Sequence, residues 1–99
     1  AHRLLPDHVV ITAVASYFGV TQQAIKGRKR DKKTALARQV SMYLMREMSN
    51  MGLTAIGRVL GGKDHTTVAH GCDRISIHLE ADPHIRRDLL NIRETLNRA

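Results

Sequence analysis

The chain has 99 residues, a net charge of +7 and an ordinary apolar fraction of 42%, but only 3% aromatic residues and no Trp. That length holds one domain with one modest core, and its aliphatic palette suits packed helices better than a sheet. A single cysteine, Cys72, excludes an intrachain disulfide, no apolar run has the length of a membrane span, and nothing resembles a signal peptide.

In chain order, residues 1–6 read as the remnant of a linker, because the chain opens with Ala and Pro6 ends a short apolar and basic lead. Asp7 is the expected cap of a first helix through Phe18, with Val10, Val14 and Tyr17 on one face and Ile11 and Phe18 beside them. The run Val9-Val10-Ile11-Thr12 has β propensity, but helical periodicity ending at Gly19 outweighs it. Thr21 caps a short second helix to about Lys26, closed by Gly27. A basic loop, residues 26–33, leads into a long third helix that is capped by Asp31 or Thr34 and runs to about Ser49. Its stripe is Leu36, Val40, Tyr43 and Leu44, and Arg38, Gln39 and Arg46 share one flank. Asn50-Met51-Gly52 breaks it.

Residues 54–80 have the layout of a helix-turn-helix: a short helix to Leu60, the turn Gly61-Gly62-Lys63, and a second helix capped by Asp64. The second helix buries Val68, Cys72, Ile75 and Leu79, and leaves Thr66 and His70 opposite, with Thr67 and Arg74 on the flank. Ile77 also points outward, and packing against a neighbouring helix is the expectation for it. Residues 82–98 form a last helix, with Asp82 as cap and Pro83 at the first position. Its stripe of Ile85, Leu89, Ile92 and Leu96 is too short for a coiled coil and reads as a lid over the core. The expected architecture is one all-α domain of six helices.

The charge is concentrated. Lys26, Arg28, Lys29, Arg30, Lys32, Lys33 and Arg38 stand against a single acid, Asp31, for a net +6 of the chain's +7. A patch of this kind points to a polyanion, nucleic acid before an acidic membrane surface, although a solvated loop has the same composition. The helix-turn-helix favours nucleic acid, because the N-terminal end of its second helix enters the major groove. Thr66 and Thr67 are short and offer a hydroxyl and a methyl to base edges, and Asp64 can accept from a cytosine amino group. Lys63 can neutralise a phosphate, and Arg38, Gln39 and Arg46 can hold phosphates between the two heads. Arg30 or a neighbour can enter a narrow minor groove. Asp-His-Thr-Thr is equally a good helix start, so the motif alone has a structural reading too.

The run Gly61-Gly62-Lys63-Asp64-His65-Thr66-Thr67-Val68, continuing to His70 and Ile75, resembles the signature of the DnaA family of bacterial replication initiators. Arg38-Gln39 with Met42-Tyr43-Leu44, Leu53-Thr54-Ala55-Ile56-Gly57 and Val14-Ala15-x-Tyr17-Phe18 also fit, in order, over residues 8 to 98. The resemblance implies the C-terminal DNA-binding domain, a Trp-repressor-like six-helix fold without metal. It binds double-stranded DNA at DnaA boxes of the type 5′-TT(A/G)TNCACA at the origin. Asp64, His65, Thr66 and Thr67 then read the major groove and Arg30 the minor groove, with Lys32 nearby. Arg38, Gln39, Arg46, Thr54, Lys63 and His70 line up with further base or backbone contacts. Many members carry Pro where Thr54 stands, and the basic loop varies in register. ATP or ADP belongs to an AAA+ domain, and this chain has no Gly-x-x-x-x-Gly-Lys-Ser/Thr loop, so no cofactor and no enzymatic activity are expected. The setting implied is the bacterial cytoplasm, at the nucleoid.

Other classes fit less well. The histidines His2, His8, His65, His70, His78 and His84 lack zinc-ligand spacing with each other or with Cys72. The basic stretch lacks the Trp and Phe anchors of an interfacial helix, so acidic phospholipid is expected as a weak contact at most. A transposase-like or transcriptional regulatory protein uses the same motif, but a dimeric repressor needs a free dimer helix, which the lid leaves unavailable. A monomer is expected. The basic loop is expected to order when DNA arrives.

Overall fold

A computed structural model describes residues 4–98. Six helices make up the fold: α1 (Asp7–Phe18), α2 (Gln22–Lys26), α3 (Lys32–Met48), α4 (Leu53–Val59), α5 (His65–Ala81) and α6 (Pro83–Asn97), with no strand among the described residues. The all-α expectation holds, and helix bounds differ from it by one or two residues at most.

Most starts are capped by a side chain that satisfies a free N–H of the first turn. The Thr21 hydroxyl accepts from the Ala24 amide at 3.0 Å, Asp31 from Thr34 at 3.1 Å, Asp64 from Thr66 at 3.2 Å and Asp82 from His84 at 2.9 Å. Two starts differ from the sequence reading. Pro6 occupies the cap position of α1 and Asp7 is already helical, with no side-chain capping bond. There the Asp7 charge acts on the positive end of the helix instead. Helix α4 begins at Leu53 on Gly52, also without a side-chain cap.

Helix α3 forms the centre and packs against α1, α2, α4 and α5, while α6 closes the domain over α5 and α1. The core is aliphatic: Val10, Val14, Ile25, Val40, Leu44, Met45, Ile56, Leu60, Val68 and Ile75 are fully buried, and α6 adds Ile85, Leu89, Ile92 and Leu96. Burial of each such side chain is worth ~1.5–3 kcal/mol. The face of α1 turns further than the sequence suggested. Val10, Ile11, Val14 and Ala15 are inside, whereas Tyr17 is 40% exposed. Its hydroxyl donates to Asp88 at 2.7 Å and accepts from Asn91 at 3.2 Å, so Tyr17 tethers α1 to α6 from the rim. Leu5 is not linker: its side chain is buried and its amide donates to the Met48 carbonyl at 3.0 Å. Residues 1–3 lie outside the described residues. Ile77 is 65% exposed, so no helix among the described residues covers it, contrary to expectation.

The α4–α5 turn depends on absent side chains. The amides of Gly62 and Lys63 both donate to the Gly57 carbonyl, at 3.0 and 2.8 Å, which folds the chain tightly back. The Lys63 carbonyl lies where a Cβ on Gly57 would stand, and the Lys26 carbonyl where one on Gly61 would stand. Gly61 and Gly62 also take φ of +86° and +82°, which side-chain-bearing residues rarely adopt. Gly57→Ala is expected to destabilise the domain by roughly 1–3 kcal/mol, the cost of overpacking against backbone. Gly52→Ser is expected to stabilise it by a few tenths of a kcal/mol through a new cap; Gly52 has a β-region φ of −76° and open space around it. Urea denaturation of both variants checks the pair of signs.

Candidate nucleic-acid interface

The N-terminal turn of α5 projects from the helix-turn-helix with His65, Thr66, Thr67 and His70 all exposed. Asp64 stands at its head. One carboxylate oxygen takes the Thr66 amide, and the other lies 3.4 Å from the His65 Nδ1. The bonds from Thr66, its amide first, hold the Asp64 carboxyl below the ordinary carboxylate range. Asp64 therefore combines a capping role with an exposed acceptor. Arg74 extends the exposed face one turn beyond His70, a basic residue at the i+4 spacing that the candidate set had left out.

The basic loop lies on the other side of the helix-turn-helix turn. Arg28, Lys29 and Arg30 are exposed in the residues between α2 and α3, and Lys32 and Lys33 are exposed in the first turn of α3. The loop is thus shorter than the expected 26–33, since Lys26 belongs to α2 and Lys32 and Lys33 to α3. Among the described residues, the only contact of ion-pair geometry is that between His65 and Asp64. None of these loop cations lies within ion-pair distance of a carboxylate among the described residues.

Two predicted phosphate contacts are placed differently from the sequence reading. Arg38 is 9% exposed. Its Nε donates to the Ile25 carbonyl at 2.8 Å, one terminal nitrogen to Lys29 at 2.9 Å, and the other to Ala24 at 3.0 Å. Burial draws its pKa down from the ordinary value, and Asp31 opposes the shift. Lys63 is half-buried, and its Nζ donates to the Gly27 carbonyl at 2.7 Å and to that of Lys26 at 3.2 Å. Burial lowers its pKa as well, helped by the neighbouring charges of Arg38 and Arg28. A helix of five residues leaves its last carbonyls without intrahelical partners, and these two cations satisfy them. From the sequence both residues read as phosphate contacts; the short helix upstream, with carbonyls in need of donors, was the available signal for their inward bonds.

The remaining candidates spread over α3 and α4. Gln39 is half-buried where α3 crosses α5 at Gly71; its Cγ lies 3.5 Å from the place a Cβ on Gly71 would take. Thr54 is exposed in the first turn of α4. Arg46 is exposed two helical turns beyond Arg38, beside a shallow cavity of about 330 Å³ lined also by Tyr43, Glu47, Cys72, Asp73 and Ser76. Burial raises the Cys72 thiol pKa, and the Arg46 guanidinium opposes the shift. Among the described residues no cluster of His, Cys, Asp or Glu is placed to hold a metal ion, and no helix is long and apolar enough to cross a membrane.

These features define the class: a helix-turn-helix domain whose second helix opens with exposed hydrogen-bonding side chains beside an unneutralised basic loop. The family model described as the bacterial dnaA protein helix-turn-helix matches residues 8–75. The chain belongs to this family. It is similar to the chromosomal replication initiator protein DnaA of Herpetosiphon aurantiacus, 42% identical over 87 residues, covering 88% of this chain and 18% of that protein. The corresponding protein of Levilactobacillus brevis is 42% identical over 90 residues, 91% of this chain and 20% of its own length. That of Latilactobacillus sakei is 45% identical over 85 residues, 86% of this chain and 19% of its own. The chain thus spans about a fifth of the length of the curated relatives it matches.

Asp31 resembles Asp64: bonds from the Thr34 amide and hydroxyl lower its pKa. A carboxyl depressed on folding stabilises the fold above its unfolded pKa, and that contribution is lost as pH falls through the folded value. Melting temperature is therefore expected to fall on acidification below about pH 4, the unfolded carboxylate value. Asp64→Asn and Asp31→Asn retain a capping oxygen and are expected to flatten that dependence, as thermal melts between pH 7 and pH 2.5 will check.

Proposed function

We propose that this domain binds double-stranded DNA in a sequence-specific manner and serves as the address-reading module of a chromosomal replication initiator. The observation that carries this reading is the exposed first turn of α5, with His65, Thr66 and Thr67 free of the domain's own packing, set in a helix-turn-helix of the DnaA family. Short polar side chains at this position of the motif reach base edges in the major groove. The names of the relatives supply the process, replication initiation.

The target is an asymmetric DnaA box of the type 5′-TT(A/G)TNCACA, bound by a monomer. Asp64, His65, Thr66 and Thr67 read the major groove, and Arg30 reaches the adjacent minor groove, where narrow segments concentrate negative potential. Lys32, Arg46, Gln39, Thr54 and His70 contact the backbone or flanking bases. The apolar stripe of α6 lies against the core, which leaves no spare dimer helix among the described residues and supports one copy on one site. Bacterial cytoplasm at the nucleoid is the corresponding location, and acidic phospholipid is a weak secondary contact through the loop.

Fluorescence anisotropy against a duplex with one DnaA box, beside a scrambled duplex of equal composition at near-physiological salt, tests the reading. Tight binding to the box alone is expected; equal, salt-sensitive binding to both would overturn it. In the same assay, Thr66→Ala is expected to cost roughly 1–3 kcal/mol and to blur base preference. Lys32→Ala should weaken all duplexes alike and reduce the salt slope by about one ion.

A further inference from the structure

The C-terminus of α2 is gripped from two sides by cations of other elements. Arg38, from α3, holds the carbonyls of Ala24, Ile25 and Lys29. Lys63, from the turn that launches α5, holds those of Lys26 and Gly27. Between them they engage five of the six carbonyls from residue 24 to residue 29, on both sides of the point where the basic loop begins. The turn also closes on this segment directly, because the Lys26 carbonyl occupies the space a Gly61 side chain would need. A lysine whose three N–H donors face two backbone carbonyls 2.7 and 3.2 Å away has its main partners inside the protein.

We propose that Lys63 and Arg38 are positioning residues: they dock the basic loop onto the turn and third helix, so that Arg28–Arg30 and the start of α5 meet DNA as one preformed unit. The DNA consequence rests on the reading given under Proposed function; the docking itself does not. Lys63 is the decisive member, because its side-chain hydrogen bonds join the start of the loop to the element carrying His65, Thr66 and Thr67. Without its bonds the loop keeps its charge but loses its fixed offset from α5. Apparent affinity falls by the fraction of time the loop is correctly placed, so a loop placed a tenth of the time costs about tenfold. Lys63 as a phosphate ligand makes the opposite prediction, a loss independent of the loop and of sequence.

Removal of Arg38 leaves three carbonyls without that donor and endangers folding, so the test uses Lys63→Met, with Lys63→Arg as the conservative variant. Amide hydrogen exchange on the free protein reads the docking without DNA. The amides of Ile25 and Gly27, which donate to the Thr21 and Ala24 carbonyls at the end of α2, are expected to exchange at least several-fold faster in Lys63→Met, with α5 and α6 unchanged and protection restored in Lys63→Arg. Protection of these two amides equal to wild type in Lys63→Met would overturn the proposal. The DNA arm is a double-mutant cycle with Arg30→Ala, read as affinity for the box and base preference at each position. Lys63→Met is expected to cost about tenfold, to blur preference at the end of the box read by the loop only, and to add little once Arg30 is gone. A loss that is additive with Arg30→Ala, equal on box and scramble, and accompanied by a salt slope smaller by about 0.9 would make Lys63 a phosphate contact and overturn the proposal. Equal binding of the wild-type domain to box and scramble would instead remove the DNA reading, and the exchange experiment would still decide the docking.

Discussion

The carbonyl end of α2 is the constraint around which the basic side of the molecule is built. Five residues make too short a helix to hold itself in water, and its last carbonyls point where the next helix has to begin. The domain answers with two cations from distant points of the chain, Arg38 and Lys63. Once they are in place, the third helix, the basic loop and the helix-turn-helix turn converge on one short stretch of backbone. The requirement for glycine at position 61 follows from the same convergence, because any side chain there meets the Lys26 carbonyl.

Backbone carbonyls are an economical way to bury cations. Each carries a partial negative charge, and those at a helix C-terminus are reinforced by the helix dipole. No acidic residue is therefore needed to neutralise Arg38 or Lys63, and the local field stays positive. The pKa of Lys63 is lowered first by burial, and then by the neighbouring charges of Arg38 and Arg28. A surface holding its own like charges together gains stability when a polyanion neutralises them, which couples the architecture of this face to the binding of one. Elsewhere α6 lies over α5 and α1, and the Tyr17–Asp88–Asn91 cluster ties down its edge.

The domain accounts for about a fifth of the length of its relatives. In the proposed reading, specificity comes chiefly from geometry, since so small a domain has little surface to spend. A fixed offset between a helix start and a basic loop serves that reading, because two rigid heads discriminate against any duplex that fits only one of them.

Much of the fold was legible in the chain order because its signals are local. Thr21, Asp31, Asp64 and Asp82 are capping residues in front of periodic apolar runs, and each caps a helix in the structure. Gly19 and Gly61-Gly62 mark turns with left-handed backbone. The exposed side of α5 also followed from periodicity, since Val68, Cys72 and Ile75 define the buried side. Tyr17 was misjudged because periodicity tells which residues share a face, and only packing tells how wide that face is; Leu5 lies before the first helix, where no periodicity applies, and only packing brings it to the end of α3. The inward bonds of Arg38 and Lys63 were not legible for another reason. A cation's destination depends on acceptors that the fold brings from 9 to 37 residues away in sequence, and no spacing rule encodes them. The sequence by itself determined the helices, their caps, the helix-turn-helix and the concentration of positive charge, all consequences of neighbours a few residues apart. Only the tertiary structure decided which cations face solvent and which hold the scaffold, because that choice depends on where α2 ends relative to α3 and the turn before α5.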